Sequence, residues 1–166
     1  MKRLFALVPV VAMICALLCA CGSSQSAVKT SVSSKYDDGY ASSYASSTST
    51  DENGNAVYEF TGDQYDSYRE NHRNSLGADI QKDIADAHEE SYGEYAYINE
   101  EKNAVIVGIH EGEYDEKTAK EESASIAEYG FKYFQNLETP VDTIKVIYCN
   151  ANDQNAIFGT FEYTAE

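Results

Sequence analysis

Three histidines, four cysteines and 28 carboxylates are the groups in this 166-residue chain that could carry chemistry. A metal ion needs its protein ligands to converge on one point. His72 and His88 fall in one predicted helix, 16 positions apart, a rotation of about 160° at helical pitch. That sets them on opposite flanks of the helix's apolar stripe, so they cannot share an ion. His110 followed by Glu111, with Glu113 and Asp115 close behind, sits at a predicted strand end. A base and its orienting carboxylate could be built there, and the competing reading is a loop histidine among acids. Cys149 ends a predicted strand beside Asn150, with no adjacent cation to favour a thiolate. It reads as a small, buried strand residue without a partner cysteine. Asp51-Glu52-Asn53-Gly54-Asn55 alternates oxygen ligands like the first half of a calcium loop. Ala56 stands where that loop requires Gly, and Gly62 stands where it requires a bidentate Glu, so a hairpin turn fits better. The sequence has no G-x-S-x-G, no G-x-x-x-x-G-K-[ST] and no G-x-G-x-x-G, and neither a nucleotide cofactor nor a metal is expected.

The charge balance narrows the partners. Twelve Lys+Arg against 28 Asp+Glu give a formal charge of −16, a field of the wrong sign for nucleic acid or for electrostatic adhesion to anionic lipid. Hydrophobic residues make up 43% of the chain, with 14 Tyr, six Phe and no Trp. That supports one core.

The other three cysteines, at 15, 19 and 21, lie in a segment of a different kind. Lys2 and Arg3 precede an uncharged apolar run from Leu4 to Leu18, followed by small residues. These are the three zones of an export signal, and the run is shorter than the ~20 residues of a stable span. Leu18-Cys19-Ala20-Cys21, continued by Gly22, Ser23 and Ser24, resembles the lipobox of bacterial lipoproteins. The resemblance implies a diacylglycerol thioether on Cys21, cleavage after Ala20, and residence on the extracytoplasmic face of a cell membrane, with the lipid bilayer as partner. Cys19 as acceptor would put bulky Leu18 at the cleavage position, a poorer fit. Cleavage removes Lys2 and Arg3 and leaves ten cations against 28 acids, formally −18. Membrane residence must then come from acyl chains, not from charge.

Residues 22–50 hold 11 Ser and three Thr in 29 positions, a composition that predicts a disordered tether. Tyr36, Tyr40 and Tyr44 recur every fourth residue within it, as sticky linker residues, a helical stripe or stacking platforms for sugars. Periodic signals begin at Asp51. A short strand is predicted over 56–60, followed by a capping box, Thr61-Gly62-Asp63-Gln64. The helix it opens turns Tyr65, Tyr68, Leu76, Ile80, Ile84 and Ala87 to one side, and Gly77 marks a possible kink. A hairpin over 94–99 and 104–110 comes next, its second arm AVIVGI reading as a central strand. Asp115 caps a second helix, about 116–137, with Ala119, Ile126, Ala127, Phe134 and Leu137 inward. Strands over 143–149 and 156–163 follow, the first with Ile144, Val146 and Tyr148 inward against Lys145.

This β-α-β-β-α-β-β order predicts an α+β fold of two layers, an antiparallel sheet of four to five strands covered on one face by two helices. Two arrangements stay open, a ferredoxin-like one and a tandem α-β-β pair. The second is suggested by Asn55-Ala56-Val57, Asn103-Ala104-Val105 and Asn155-Ala156-Ile157, each following a polar turn. The expected organisation is a leader over 1–20, lipidated Cys21 and tether over 21–50, and an acidic domain over 51–166. The expected function is a non-catalytic binding or adaptor module of the envelope, engaging a protein or glycan through an exposed sheet face or a Tyr-rich surface. A small hydrolase around His110 and an inhibitor or immunity-type partner of a basic protein are the alternatives. Replacing Cys21 with Ser should move the protein from the detergent to the aqueous phase in phase partitioning. The amino-terminal peptide of the native protein should carry acyl mass; an unmodified terminus would contradict the anchor.

Overall fold

Val28, Thr30 and Val32 alternate with Lys29 and Ser31, the period of a strand with one buried face. In the computed structural model, which describes residues 26–87 and 93–165, they form β1 (Val28–Val32), with Thr30 and Val32 buried. A single 3-10 turn follows at Tyr40–Ser43, then β2 (Ser47–Thr50) and β3 (Ala56–Phe60). β3 lies between β1 and β2 in an antiparallel sheet of three strands. The chain from Val28 on is therefore folded, not a tether. Counting serines hid a β-branched residue at every second position of β1. Tyr36 is buried, and Tyr40 and Tyr44 pack against the core as an inward cluster, neither linker nor free platform. The β2–β3 connection is the expected hairpin turn. Asp51 Oδ1 accepts the Asn53 and Asn55 backbone N–H groups at 2.9 Å, and Gly54 takes the left-handed φ of 84°.

α1 (Gly62–Ala87) opens on the expected capping box. The Thr61 N–H donates to Gln64 Oε1 at 2.9 Å, and the Gln64 N–H donates to Thr61 Oγ1 at 3.4 Å. The helix runs unbroken through Gly77. Its missing side chain serves approach instead: a Cβ there would lie 3.4 Å from the Ala96 carbonyl oxygen. Tyr65, Tyr68, Leu76, Ile80 and Ile84 are buried as expected. His72 belongs to the same stripe, four residues after Tyr68 and four before Leu76, and is 1% exposed. It does not flank the stripe. His88 lies outside the described residues.

β4 (Gly93–Asn99) and β5 (Ala104–Ile109) form the predicted hairpin, turned at Asn103 with φ of 47°. α2 (Glu116–Phe134) is capped by Asp115, whose side chain accepts the Thr118 N–H at 2.8 Å. β6 (Thr143–Asn150) and β7 (Asp153–Thr164) form the second hairpin. The second sheet has the order β4-β5-β6-β7, with β5 and β6 parallel. The class is α+β with two helices packed on a sheet, as expected. The details differ: the strands divide between two sheets, and the centre of the larger one is parallel. The cause is the α2 crossover, which returns the chain to the end where β5 began. A unit repeated by translation would make β5 and β6 antiparallel, so the Asn-Ala echo marks turn exits here, not a translational α-β-β repeat.

The main core lies between the helices and one face of the larger sheet, where Ile98, Val105, Val107, Ile109, Ile144, Val146 and Tyr148 meet Ile80, Ile84, Ile126 and Phe134. The three-stranded sheet joins this core through Phe60, whose ring stacks on Tyr68 at 5.2 Å. Val32 and Tyr36 complete it, and Tyr36 meets Phe131 at 5.7 Å. A chain shortened to begin at Asp51 should therefore lose cooperative thermal unfolding. Val32→Ala should cost about 1–3 kcal/mol in urea titration, and a stable, cooperative 51–166 fragment would refute this packing.

Candidate functional site

His110 follows the last residue of β5 and is half-buried, its carbonyl accepting the Glu113 N–H at 3.1 Å to close the turn, while Glu111 is exposed. Three surface grooves are lined by other residues: one between α1 and β4, one between α1 and α2 around Ile84 and Tyr129, and one beside Lys35, Lys132 and Tyr163. Cys149 is buried and free, its Sγ 3.7 Å from the Val107 carbonyl oxygen and 3.6 Å from the Tyr95 hydroxyl. Cys21 lies outside the described residues.

A histidine and a carboxylate do meet, at a place the sequence did not single out. His72 Nε2 lies 2.9 Å from Asp38 Oδ2. The imidazole packs in a cluster with Tyr40, at 4.8 Å and 15°, and Tyr68, at 5.3 Å and 29°, which themselves lie 6.3 Å apart, with Tyr133 at 5.8 Å. Asp38 Oδ1 accepts the Tyr40 N–H at 3.0 Å. Burial alone would raise the Asp38 pKa, but the His72 and Tyr40 hydrogen bonds outweigh it and hold the carboxyl below its ordinary value. Asp37 accepts the Tyr58 hydroxyl at 2.9 Å, and burial with that carboxylate pushes the phenol up to about 12. Behind His72, the Tyr133 hydroxyl donates to Glu100, which also takes Arg69, with Arg73 at 3.4 Å. An Asp–His pair can relay protons where substrate reaches the imidazole. At 1% exposure none does here. The pair is a tie fastening the 3-10 turn to α1.

The face of the larger sheet turned away from the helices is different. Cross-strand register sets Tyr97, Ile106, Ile147 and Thr160 in one row. Tyr95, Gly108, Cys149 and Ile157 form the next, and Asn99, Ala104, Lys145 and Glu162 the third. Among the described residues no helix or second sheet packs on this face; its buried cluster consists of its own side chains. The tyrosines explain how Ile106 and Cys149 are buried all the same. The Tyr95 ring lies over Gly108, where a Cβ would come within 2.4 Å of it, and its hydroxyl reaches across β5 to Cys149 on β6. Tyr97 runs alongside at 6.0 Å and donates to Gln154 Oε1 at 3.2 Å. Burial, then the thiol contact, push the Tyr95 phenol up to about 12. The result is a surface paved with tyrosine, with Ile157, 54% exposed, at its rim. It presents apolar ring area with polar tips, the chemistry of a contact surface, and it offers no nucleophile. Comparison with family models, curated proteins and solved structures finds no match to this chain.

The Asp38 tie gives a pH dependence with a definite sign. A carboxyl whose folded pKa is lowered contributes stability that is complete above its unfolded value, about 3.9, and is lost as pH falls through the folded value. The stability gap between the native protein and Asp38→Asn, by urea unfolding, should narrow progressively as pH falls below about 4. A gap that widens on acidification would contradict the tie.

Proposed function

We propose that the chain is a bacterial envelope lipoprotein, anchored by acylated Cys21 on the extracytoplasmic face of a membrane. Its acidic α+β domain acts as a non-catalytic binding module, and the tyrosine-paved sheet face is its contact surface. The anchor reading rests on the charged start, the apolar run and the Leu18-Cys19-Ala20-Cys21 motif. The binding reading rests on one observation above all: on the side of the sheet that the helices leave uncovered, the half-buried rings of Tyr95 and Tyr97 lie over buried Ile106 and Ile147, with exposed Ile157 at their rim. Tyr is the residue suited to such a surface, since a rigid ring gives contact area at small entropic cost and its hydroxyl gives a hydrogen bond. Among the described residues no helix is long and apolar enough to cross a membrane, so in this reading attachment falls to the lipid. The hydrolase alternative around His110 gains nothing from the grooves described, none of which His110 lines.

The test is positional crosslinking in intact cells. A photoreactive residue at Thr160, exposed on the paved face, should give a discrete adduct that Ile157→Asp suppresses at least fivefold. The same residue at Glu116, on α2, should give none. Adducts at Glu116 with none at Thr160 would reject the face as the contact surface.

A further inference from the structure

Among the described residues β4 is a terminal strand, hydrogen-bonded to β5 on one side only. Its outer edge opens into a groove of about 760 Å³, roofed by the flank of α1 at Arg73, Gly77, Ala78 and Gln81 and floored by residues 96–101. We propose that this groove takes an extended, basic polypeptide segment as a fifth strand of the larger sheet. The proposal rests on the binding-module reading above and names its class of partner.

Four observations carry it. An edge strand presents a row of backbone donors and acceptors that another extended backbone satisfies along its whole length. β4 keeps regular pairing with β5 from Tyr95 to Asn99, so its outer row is straight, whereas β7, the opposite edge, carries two register shifts. The roof leaves room beside Ala78, which is exposed on the α1 flank and carries only a methyl group, while its neighbour Gly77 packs directly against the β4 backbone. Inward side chains of the added strand would lie beside Ala78, and outward ones would lie beside Tyr97, which lines the groove and paves the sheet face at once. Charge selects the occupant. With Glu100 already engaged by Arg69 and Arg73, exposed Glu101 at the groove's end and the −16 of the whole chain favour cationic segments and repel acidic ones.

The probe is a blocked octapeptide of alternating lysine and valine, titrated against the full mature protein in detergent. Hydrogen exchange should show slowed amides in β4 and none newly slowed in β7. N-methylation of one alternate set of peptide nitrogens should weaken binding at least tenfold, and methylation of the other set less than twofold. Ala78→Trp, which fills the groove from an exposed position, should also weaken binding at least tenfold with an unchanged melting temperature. Equal binding by both methylated peptides, protection at β7, or no protection at β4 would overturn the strand. A glycan taken by the paved face in place of a peptide would also overturn it. If Thr160 crosslinks as described while β4 stays unprotected, the strand fails and the face reading stands. If β4 is protected while Thr160 stays silent, the face reading fails.

Discussion

His72 lies on the inward face of α1, its ring packed against both Tyr40 and Tyr68 and its Nε2 against Asp38. Everything amino-terminal to the helix depends on that seam. The middle strand β3 of the small sheet buries Val57, Tyr58 and Phe60, but its neighbour β2 is exposed along its whole length, and three short strands do not hold a layer by themselves. The sheet is stable because Phe60, Tyr65, Tyr68, Tyr40 and Tyr44 interleave along the first half of α1. The Tyr40 and Tyr44 hydroxyls meet at 3.3 Å and the Tyr65 hydroxyl accepts the Glu138 N–H at 2.7 Å, while the Tyr68 hydroxyl is buried without a hydrogen-bond partner among the described residues. Tyrosine in this quantity is what lets a serine-rich segment join a core: the rings supply apolar area, and those at the boundary find partners for their hydroxyls.

With the first half of α1 committed to the small sheet, its second half and α2 are left for the large one, and both lie on the same face. Two helices cover that face. A third layer would be needed to cover the other, and among the described residues none is present; the sheet covers its far side with two of its own side chains. That solution works only because Gly108 leaves a flat bed for the Tyr95 ring and because β5 and β6 keep Ala104 and Cys149 small beside it. The uncovered, tyrosine-paved face is thus a consequence of how the amino-terminal segment occupies the helix.

The sequence disclosed the parts whose signals are local. The capping box at Thr61, the N-cap at Asp115, the 100–103 turn and the AVIVGI strand each depend on residues close in sequence, and all appear where expected. The parts that failed are those decided at a distance. The parallel pairing of β5 and β6 follows from a crossover of the whole second helix, and no turn residue records it. β1 was masked by composition, since Lys29, Ser31 and their neighbours are polar while only the alternate positions are buried. His72 was weighed as a ligand and so left out of the stripe whose spacing it shares. The paved face was half visible. Lys145 against Ile144 and Val146 gave the inward side of β6, but in Tyr95-Ala96-Tyr97-Ile98 every residue is apolar or aromatic, and alternation of that kind carries no polar mark of which side faces out.

Were the chain anchored as proposed, charge would let an uncovered aromatic face persist at high local density on a membrane. Copies carrying the formal −18 of the cleaved chain would repel one another at every approach. The paved face is the nearly neutral exception: its interior rows hold no ionisable carboxylate or amine, and the third row sets Lys145 directly across from Glu162. Repulsion from the surrounding acids falls off within about 8 Å at physiological ionic strength, so a second copy must cross that barrier before any ring contact forms. A basic partner meets attraction over the same distance and is steered inward before desolvation begins. The apolar surface gives contact energy and the acids around it decide which molecules arrive, so selectivity needs no charged group at the contact itself.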